Sequence, residues 1–198
     1  MFTGIIKGKA KINIVLKNET DMRIKVELGN LKTKIGIGDS IALDGVCLTI
    51  TNFEDGFSFF DLMNETLEKT NFRNLIDGYE MNVEPSIRFD SKLDGHIVYG
   101  DVDSVGEIID IKNVGDSSIY KIKYPKEYAK YLINKGRITL DGASLTVIDS
   151  EEDGMFSVSL IPHSLKELNI KNKNSGDVVN LEYDVYAKII YKQRRFND

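Results

Sequence analysis

The feature that most constrains this chain is that it repeats itself. Leu43-Asp44-Gly45-Val46-Cys47-Leu48-Thr49-Ile50 returns 97 residues later as Leu140-Asp141-Gly142-Ala143-Ser144-Leu145-Thr146-Val147. Leu62 to Phe72 returns 98 residues later as Leu160 to Ile170, and Gly78, Asn82 and Glu84 return as Gly176, Asn180 and Glu182. Gly4 and Ile6 stand against Gly100 and Val102 near the start of each half. Four collinear matches with one residue of slippage mean duplication, and a duplicated chain must build the same unit twice.

Within each half the apolar residues alternate, as in Met22-Arg23-Ile24-Lys25-Val26-Glu27-Leu28 and in Lys11 to Leu16. Alternation reads as strand. Turn signals divide these strands at Gly36-Ile37-Gly38-Asp39, Glu54-Asp55-Gly56, Asp77-Gly78, Gly115-Asp116, Glu152-Asp153-Gly154 and Ser175-Gly176-Asp177. Short strands so spaced predict a small antiparallel barrel per half, because closure removes exposed edges. Single helical turns are predicted at Asn64 to Lys69 and His163 to Glu167, and a longer helix over Lys126 to Lys135 capped by Gly136. The expected division is a first barrel over 1–90, a second over 91–184 and a helix over 185–198. That helix puts Val185, Tyr186, Ile189 and Ile190 on one face and Lys192, Arg194 and Arg195 in its last turn. So short a helix is marginal alone and must dock on the barrels or on another chain.

Net charge and cysteine usage narrow the function. A formal charge of -5 and a pI near 5.2 offer no field for a phosphate backbone, so nucleic acid is not an expected partner. One cysteine and two histidines preclude an intramolecular disulfide and leave too few soft ligands for a structural zinc site. No apolar run approaches the roughly 18 residues of a membrane span, and no charged segment followed by an apolar stretch opens the chain. The expectation is a cytoplasmic protein without metal or membrane attachment.

The duplicated Asp-Gly-x-(Cys/Ser)-Leu-Thr loop is the best candidate binding element. In an extended segment, Cys47 and Thr49, like Ser144 and Thr146, share one face and can meet the polar edge of a heterocycle. A single such loop is adequately read as a turn leading into a strand, but turn chemistry does not require the polar pair twice. From sequence alone Cys47 reads as a small structural hydrophobe before it reads as a reactive thiolate. His96 and His163 are candidate general bases. There is no Gly-x-Ser-x-Gly elbow to support a serine hydrolase. The start, Met1-Phe2-Thr3-Gly4, places an aromatic, a hydroxyl and a glycine directly before a strand, so the first residues are expected to be tied down.

Taken together, several motifs resemble the riboflavin synthase family. They are Met1 to Ile6, Gly45 to Thr49, Phe60 to Leu67, Gly95-His96-Ile97-Val98-Tyr99-Gly100, Lys135-Gly136, Leu140 to Thr146 and Leu160 to Ser164. The resemblance spans residue 1 to about 190. It implies an all-β chain of two tandem six-stranded Greek-key barrels and a C-terminal helix that joins three chains. It implies an active site where the first barrel of one chain meets the second barrel of another, each holding one 6,7-dimethyl-8-ribityllumazine. One lumazine, deprotonated at its 7-methyl group, passes a four-carbon unit to the other, activated by a nucleophile. The products are riboflavin and 5-amino-6-ribitylaminouracil, and no cofactor is added.

By the same resemblance, Gly4, Ile5, Ile6, Cys47, Leu48, Thr49 and Asp61, Leu62, Met63, Asn64, Glu65, Thr66 line the first-half pocket. Gly100, Asp101, Val102, Lys135, Ser144, Leu145, Thr146 and Leu160, Ile161, Pro162, His163, Ser164 line the second. Ser40, Cys47, His96, Asp101 and Asp184 are its candidates for proton transfer or nucleophile positioning. Asp101 stands where the family usually has histidine, Asp44 where its first copy commonly has asparagine, and Ser164 where threonine is common. Association with lumazine synthase is a further expectation. The alternative is a non-catalytic lumazine- or flavin-binding antenna protein of the same fold, which tends to lack the Cys-Leu-Thr loop and the Gly-His segment kept here.

Overall fold

The strands alternate as the sequence predicts, and the pattern closes each half into a barrel. The computed structural model describes residues 1–151 and 153–194. The first barrel comprises β1 (Gly8–Lys17), β2 (Met22–Val26), β3 (Ser40–Leu43), β4 (Val46–Glu54), β5 (Phe57–Leu62) and β6 (Glu80–Pro85), in the closed antiparallel order β1-β2-β5-β4-β3-β6. The second uses β7 (Ser104–Val114), β8 (Ser117–Lys123), β9 (Arg137–Leu140), β10 (Ala143–Glu151), β11 (Met155–Leu160) and β12 (Val178–Tyr183) in the same order, closed by the β7–β12 pairing. Met22, Ile24 and Val26 point into the first core while Arg23 stays outside. Each barrel keeps its own core, with Phe60 and Phe72 in the first and Phe156 and Tyr183 in the second.

Single-turn helices α1 (Asn64–Lys69) and α2 (Pro162–Glu167) lie where predicted. The helix expected over 126–135 does not form. Lys126–Tyr131 makes a short 3-10 segment, Leu132 is extended, and Lys135 takes a left-handed φ of 65°. The equivalent Gly29–Lys34 is also a 3-10 segment. In both halves this corner must turn back quickly to the third strand, which a tighter, shorter helix allows. The C-terminal helix α3 runs Val185–Arg194. Arg195 of its predicted basic turn, the rest of that segment and Glu152 of the predicted turn lie outside the described residues.

The barrels meet at their repeated Asp-Gly turns. Asp44 and Gly45 have φ of 43° and 79°, Asp141 and Gly142 of 44° and 79°, the doubly left-handed pair of a two-residue hairpin. The turns abut so closely that a Cβ on Gly45 would sit 2.6 Å from the backbone N of Gly142. Asn82 Nδ2 donates to Asp141 O and Asn180 Nδ2 to Asp44 O, each at 2.9 Å, so each barrel clasps the other's turn.

That junction is polar and wholly buried. Asp44 Oδ1 accepts from Asn82 N at 2.7 Å and Asn169 Nδ2 at 2.8 Å, while its Oδ2 has no hydrogen-bond partner. Asp141 Oδ2 lies 2.9 Å from Lys173 Nζ. Burial first, then the neighbouring Asp141 charge, raise Asp44 well above the ordinary carboxylate value.

Candidate functional site

Between the barrels the chain crosses over, and this decides which candidate residues lie together. The segment before β1 leans on the second barrel: Gly4 O accepts from Ser144 N at 2.8 Å, and Ile6 packs against the second core. The segment before β7 leans on the first: Gly100 O accepts from Cys47 N at 2.9 Å, and Val102 packs against the first core. Phe2 and Val98 bridge the two segments where they pass.

The expected grouping of Gly4, Ile5 and Ile6 with Cys47, and of Gly100, Asp101 and Val102 with Ser144, is therefore exchanged. The reason is steric. Both leading glycines are left-handed, at φ 74° and 81°. A Cβ on Gly4 would meet Ser144 Cβ at 2.6 Å and one on Gly100 would meet Cys47 Cβ at 2.7 Å, so only glycine lets the backbones touch.

Two buried glutamates fasten these segments. Glu84 accepts from Thr3 N, Thr3 Oγ1 and Gly4 N at 2.8, 2.7 and 2.9 Å. Glu182 accepts from Tyr99 N and Gly100 N at 2.8 and 2.9 Å. Burial raises Glu84 and pushes Glu182 up to about 7, against the backbone donors that lower it. Neither residue was among the sequence candidates, although their 98-residue spacing was the available signal.

On the first barrel Cys47, half-buried, and Thr49, exposed, share one face of β4, with Ser40 opposite Thr49 on β3. Asp61 is held by Arg23, with Nη2 donating to Oδ2 at 2.9 Å, and its pKa is lowered chiefly by that hydrogen bond. Met63 is exposed, Asn64 Nδ2 donates to Glu68, Glu65 pairs with Lys69, and Thr66 O accepts from Thr70. Asp101, beside Gly100, is exposed. Leu48, Leu62, Leu145 and Leu160 point into the cores, so toward a ligand these four offer only backbone groups.

The matching residues of the second barrel are more connected. Ser144 and Thr146 share a face of β10. His96 Nδ1 lies 2.7 Å from Ser144 Oγ, and its backbone N donates to Thr3 O at 3.1 Å. Thr146 Oγ1 accepts from Arg137 Nη1 at 3.1 Å. Burial lowers His96; Asp184 opposes this and Arg137 adds to it. Asp184 also caps α3, its Oδ1 accepting from Tyr186 N at 2.9 Å. Ile161, Pro162 and His163 are exposed and Ser164 half-buried at the start of α2, with exposed Lys135 on the loop before β9.

The lumazine binding domain family matches residues 3–86 and 99–184, one match for each barrel. A solved structure of LumP complexed with riboflavin shares the fold with a TM-score of 0.84 at 23% identity, covering 93% of this chain and 100% of that one. Riboflavin synthase of Actinobacillus pleuropneumoniae is 39% identical over 190 residues, 96% of this chain and 88% of that protein. Riboflavin synthase of Bacillus subtilis is 35% identical over 192 residues, 97% of this chain and 89% of that protein. The chain belongs to the riboflavin synthase family.

Proposed function

We propose that the chain converts two molecules of 6,7-dimethyl-8-ribityllumazine to riboflavin and 5-amino-6-ribitylaminouracil, without added cofactor. The observation that carries this reading is the crossed pair of strand faces. Each presents a thiol or hydroxyl and a threonine on one strand face, roofed by the glycine segment of the other half. Two similar pockets suit two identical substrates, and holding both in fixed orientation replaces a bimolecular encounter. The residues assigned to them are Gly100 to Val102 with Cys47 to Thr49 and Asp61 to Thr66, and Gly4 to Ile6 with Lys135, Ser144 to Thr146 and Leu160 to Ser164. His96 with Ser144 accepts the methyl proton, Cys47 and Ser40 serve nucleophile positioning, and Asp184 orients the His96 corner. Asp101 replaces a proton carrier by a carboxylate, so the His96 pair carries that task alone.

In this reading the units are 1–90, 91–184 and 185–198, and the chain is a cytoplasmic homotrimer that associates with lumazine synthase. The helix α3 supports the trimer. It is anchored by Lys188 to Asp103 at 2.7 Å and by the Tyr131–Tyr191 edge contact at 5.6 Å, yet leaves Tyr186, Ile189 and Ile190 exposed. Incubation of the protein with the lumazine alone, following riboflavin by absorbance and chromatography, tests the proposal. Catalytic riboflavin with about one pyrimidine per flavin is the expected result. Tight fluorescent binding without turnover would instead make the protein a carrier like the LumP structures it resembles in fold.

A further inference from the structure

The two pockets differ most on the loop that enters the third strand. In the first barrel it reads Gly38-Asp39-Ser40, and in the second Lys135-Gly136-Arg137. The backbones are superimposable in role. Gly38 N donates to Ile50 O and Lys135 N to Val147 O, each at 2.9 Å, and both residues are left-handed, at φ 92° and 65°. Ser40 and Arg137 each face the loop threonine of their own pocket, Thr49 and Thr146. At the same place, then, the first barrel has one carboxylate, Asp39, whose Oδ2 accepts from Gly36 N at 2.8 Å, and the second has two cations. The roofs extend the contrast, since Asp101 covers the first pocket where Ile5 covers the second.

We propose that the second barrel's pocket holds the lumazine that is deprotonated, and that Arg137 is the residue that stabilises its anion. This rests on the riboflavin synthase reading above and deepens it. In the step, a C–H bond of the 7-methyl group breaks and the proton passes to the His96–Ser144 pair. The electron pair stays with the lumazine and spreads over its ring toward the carbonyl oxygens. A guanidinium has five N–H donors, and Arg137 spends one on Thr146, which fixes its position beside that pair. A cation already oriented there meets the developing charge without reorganisation. Lys135, two residues away on the same loop, adds to the field. On the first barrel the matching loop carries no cation, and Asp101 is exposed beside Gly100, which leaves that site for the partner attacked by the carbanion.

The experiment follows deuterium uptake into the 7-methyl group of the lumazine by NMR, beside riboflavin formation, for the full-length protein and its Arg137→Ser and Arg137→Lys variants. Arg137→Ser installs the residue of the first pocket. It is expected to slow catalysed exchange and turnover together by about a hundredfold, the scale of removing one preorganised donor to an anion, with KM little changed. The acidic limb of its pH profile should move upward, because Arg137 no longer disfavours protonated His96. Arg137→Lys should retain most of the exchange rate, since the charge persists. Wild-type exchange in Arg137→Ser, or Arg137→Lys as slow as Arg137→Ser, would overturn the proposal and leave Arg137 a clasp for Thr146. A wild-type protein that forms no riboflavin would instead overturn the enzyme reading, and this proposal with it.

Discussion

The two barrels share strand order and turn geometry, yet differ in the groups placed around nearly the same backbone. The first pocket has a thiol, Cys47, with Ser40 and Asp61; the second has Ser144 bound to His96 and Thr146 bound to Arg137. Duplication kept the scaffold, the Asp-Gly turns that abut across the halves, and the glutamates that each fasten the leading segment of their own half. Side chains facing the pockets were free to diverge. The difference teaches that shape and chemistry are specified by separate residues here, so each can be broken without the other.

The largest expected effect strikes chemistry. His96→Ala should lower kcat/KM by about a hundredfold or more, the usual range for removing a positioned acid–base group, while the denaturation midpoint changes little. In the wild type, burial lowers the His96 pKa, so the imidazole stays neutral to more acidic pH than a free histidine. Activity should therefore fall only as pH drops through that lowered value, which a kcat/KM profile between about pH 4 and 8 checks. If His96→Ala turns over at the wild-type rate, the second pocket's proton transfer lies elsewhere.

Gly45→Ala strikes the scaffold. Its Cβ would lie 2.6 Å from Gly142 N, and its φ of 79° is left-handed. Left-handed strain of about 1–2 kcal/mol adds to about 1–3 kcal/mol for overpacking. Urea denaturation should show a loss of about 2–5 kcal/mol in sum. Gly78→Ala, at φ 80° with nothing within 4 Å of the added Cβ, should cost only the strain. Equal losses at the two positions would show that the abutting turns can separate.

How much of this was legible in the sequence follows from what each residue contacts. Alternation and paired turn signals reveal barrels because strand periodicity is local, and the repeat reveals that there are two. The crossing of the leading segments was not legible. Gly4 and Gly100 recur in step, which looks the same whether each segment serves its own barrel or the other. Glu84 and Glu182 were visible as repeats, but their clamping role depends on contacts about 80 residues away. Arg137 escaped notice because its counterpart is Ser40, and a comparison of the halves that looks for identity passes over a position whose meaning is its difference. The helix predicted over 126–135 shows tertiary demand overriding local propensity.

Asp44→Asn probes an asymmetry inside the junction itself. Lys173 pairs with Asp141, but the residue that repeats Lys173 in the first half is Leu75, so Asp44 has no ion pair from its own half, and Lys173 and Tyr79 offset only part of the rise that burial and Asp141 cause. Folding raises the Asp44 pKa, so the folded state holds the proton over a range where the unfolded chain has lost it. Its share of stability is then present below the ordinary carboxylate value and is lost as pH rises toward the raised value. Asparagine keeps an acceptor for Asn82 N and Asn169 Nδ2 without that charge. The variant should be more stable by about 1–3 kcal/mol near neutral pH, on the scale of an unsatisfied buried polar group, and its stability should fall less with rising pH. A steeper fall would mean that Asp44 is ionised and held by Lys173.

The smallest expected effect bears most directly on the contrast between the pockets. Lys135 occupies a left-handed position at φ 65° where the first half has Gly38, so the second pocket keeps a cation at the cost of backbone strain. Lys135→Gly should relieve about 1–2 kcal/mol of strain while losing about 0.4–1 kcal/mol to the greater freedom of unfolded glycine. The net gain in urea should lie between about 0 and 1.6 kcal/mol. Strain retained at a pocket is best explained by what the side chain does there. The same variant should therefore bind lumazine more weakly, measured by fluorescence titration of the protein with the lumazine. Stabilisation with unchanged affinity would remove Lys135 from the pocket and leave Arg137 as the only cation on that loop to separate the two barrels.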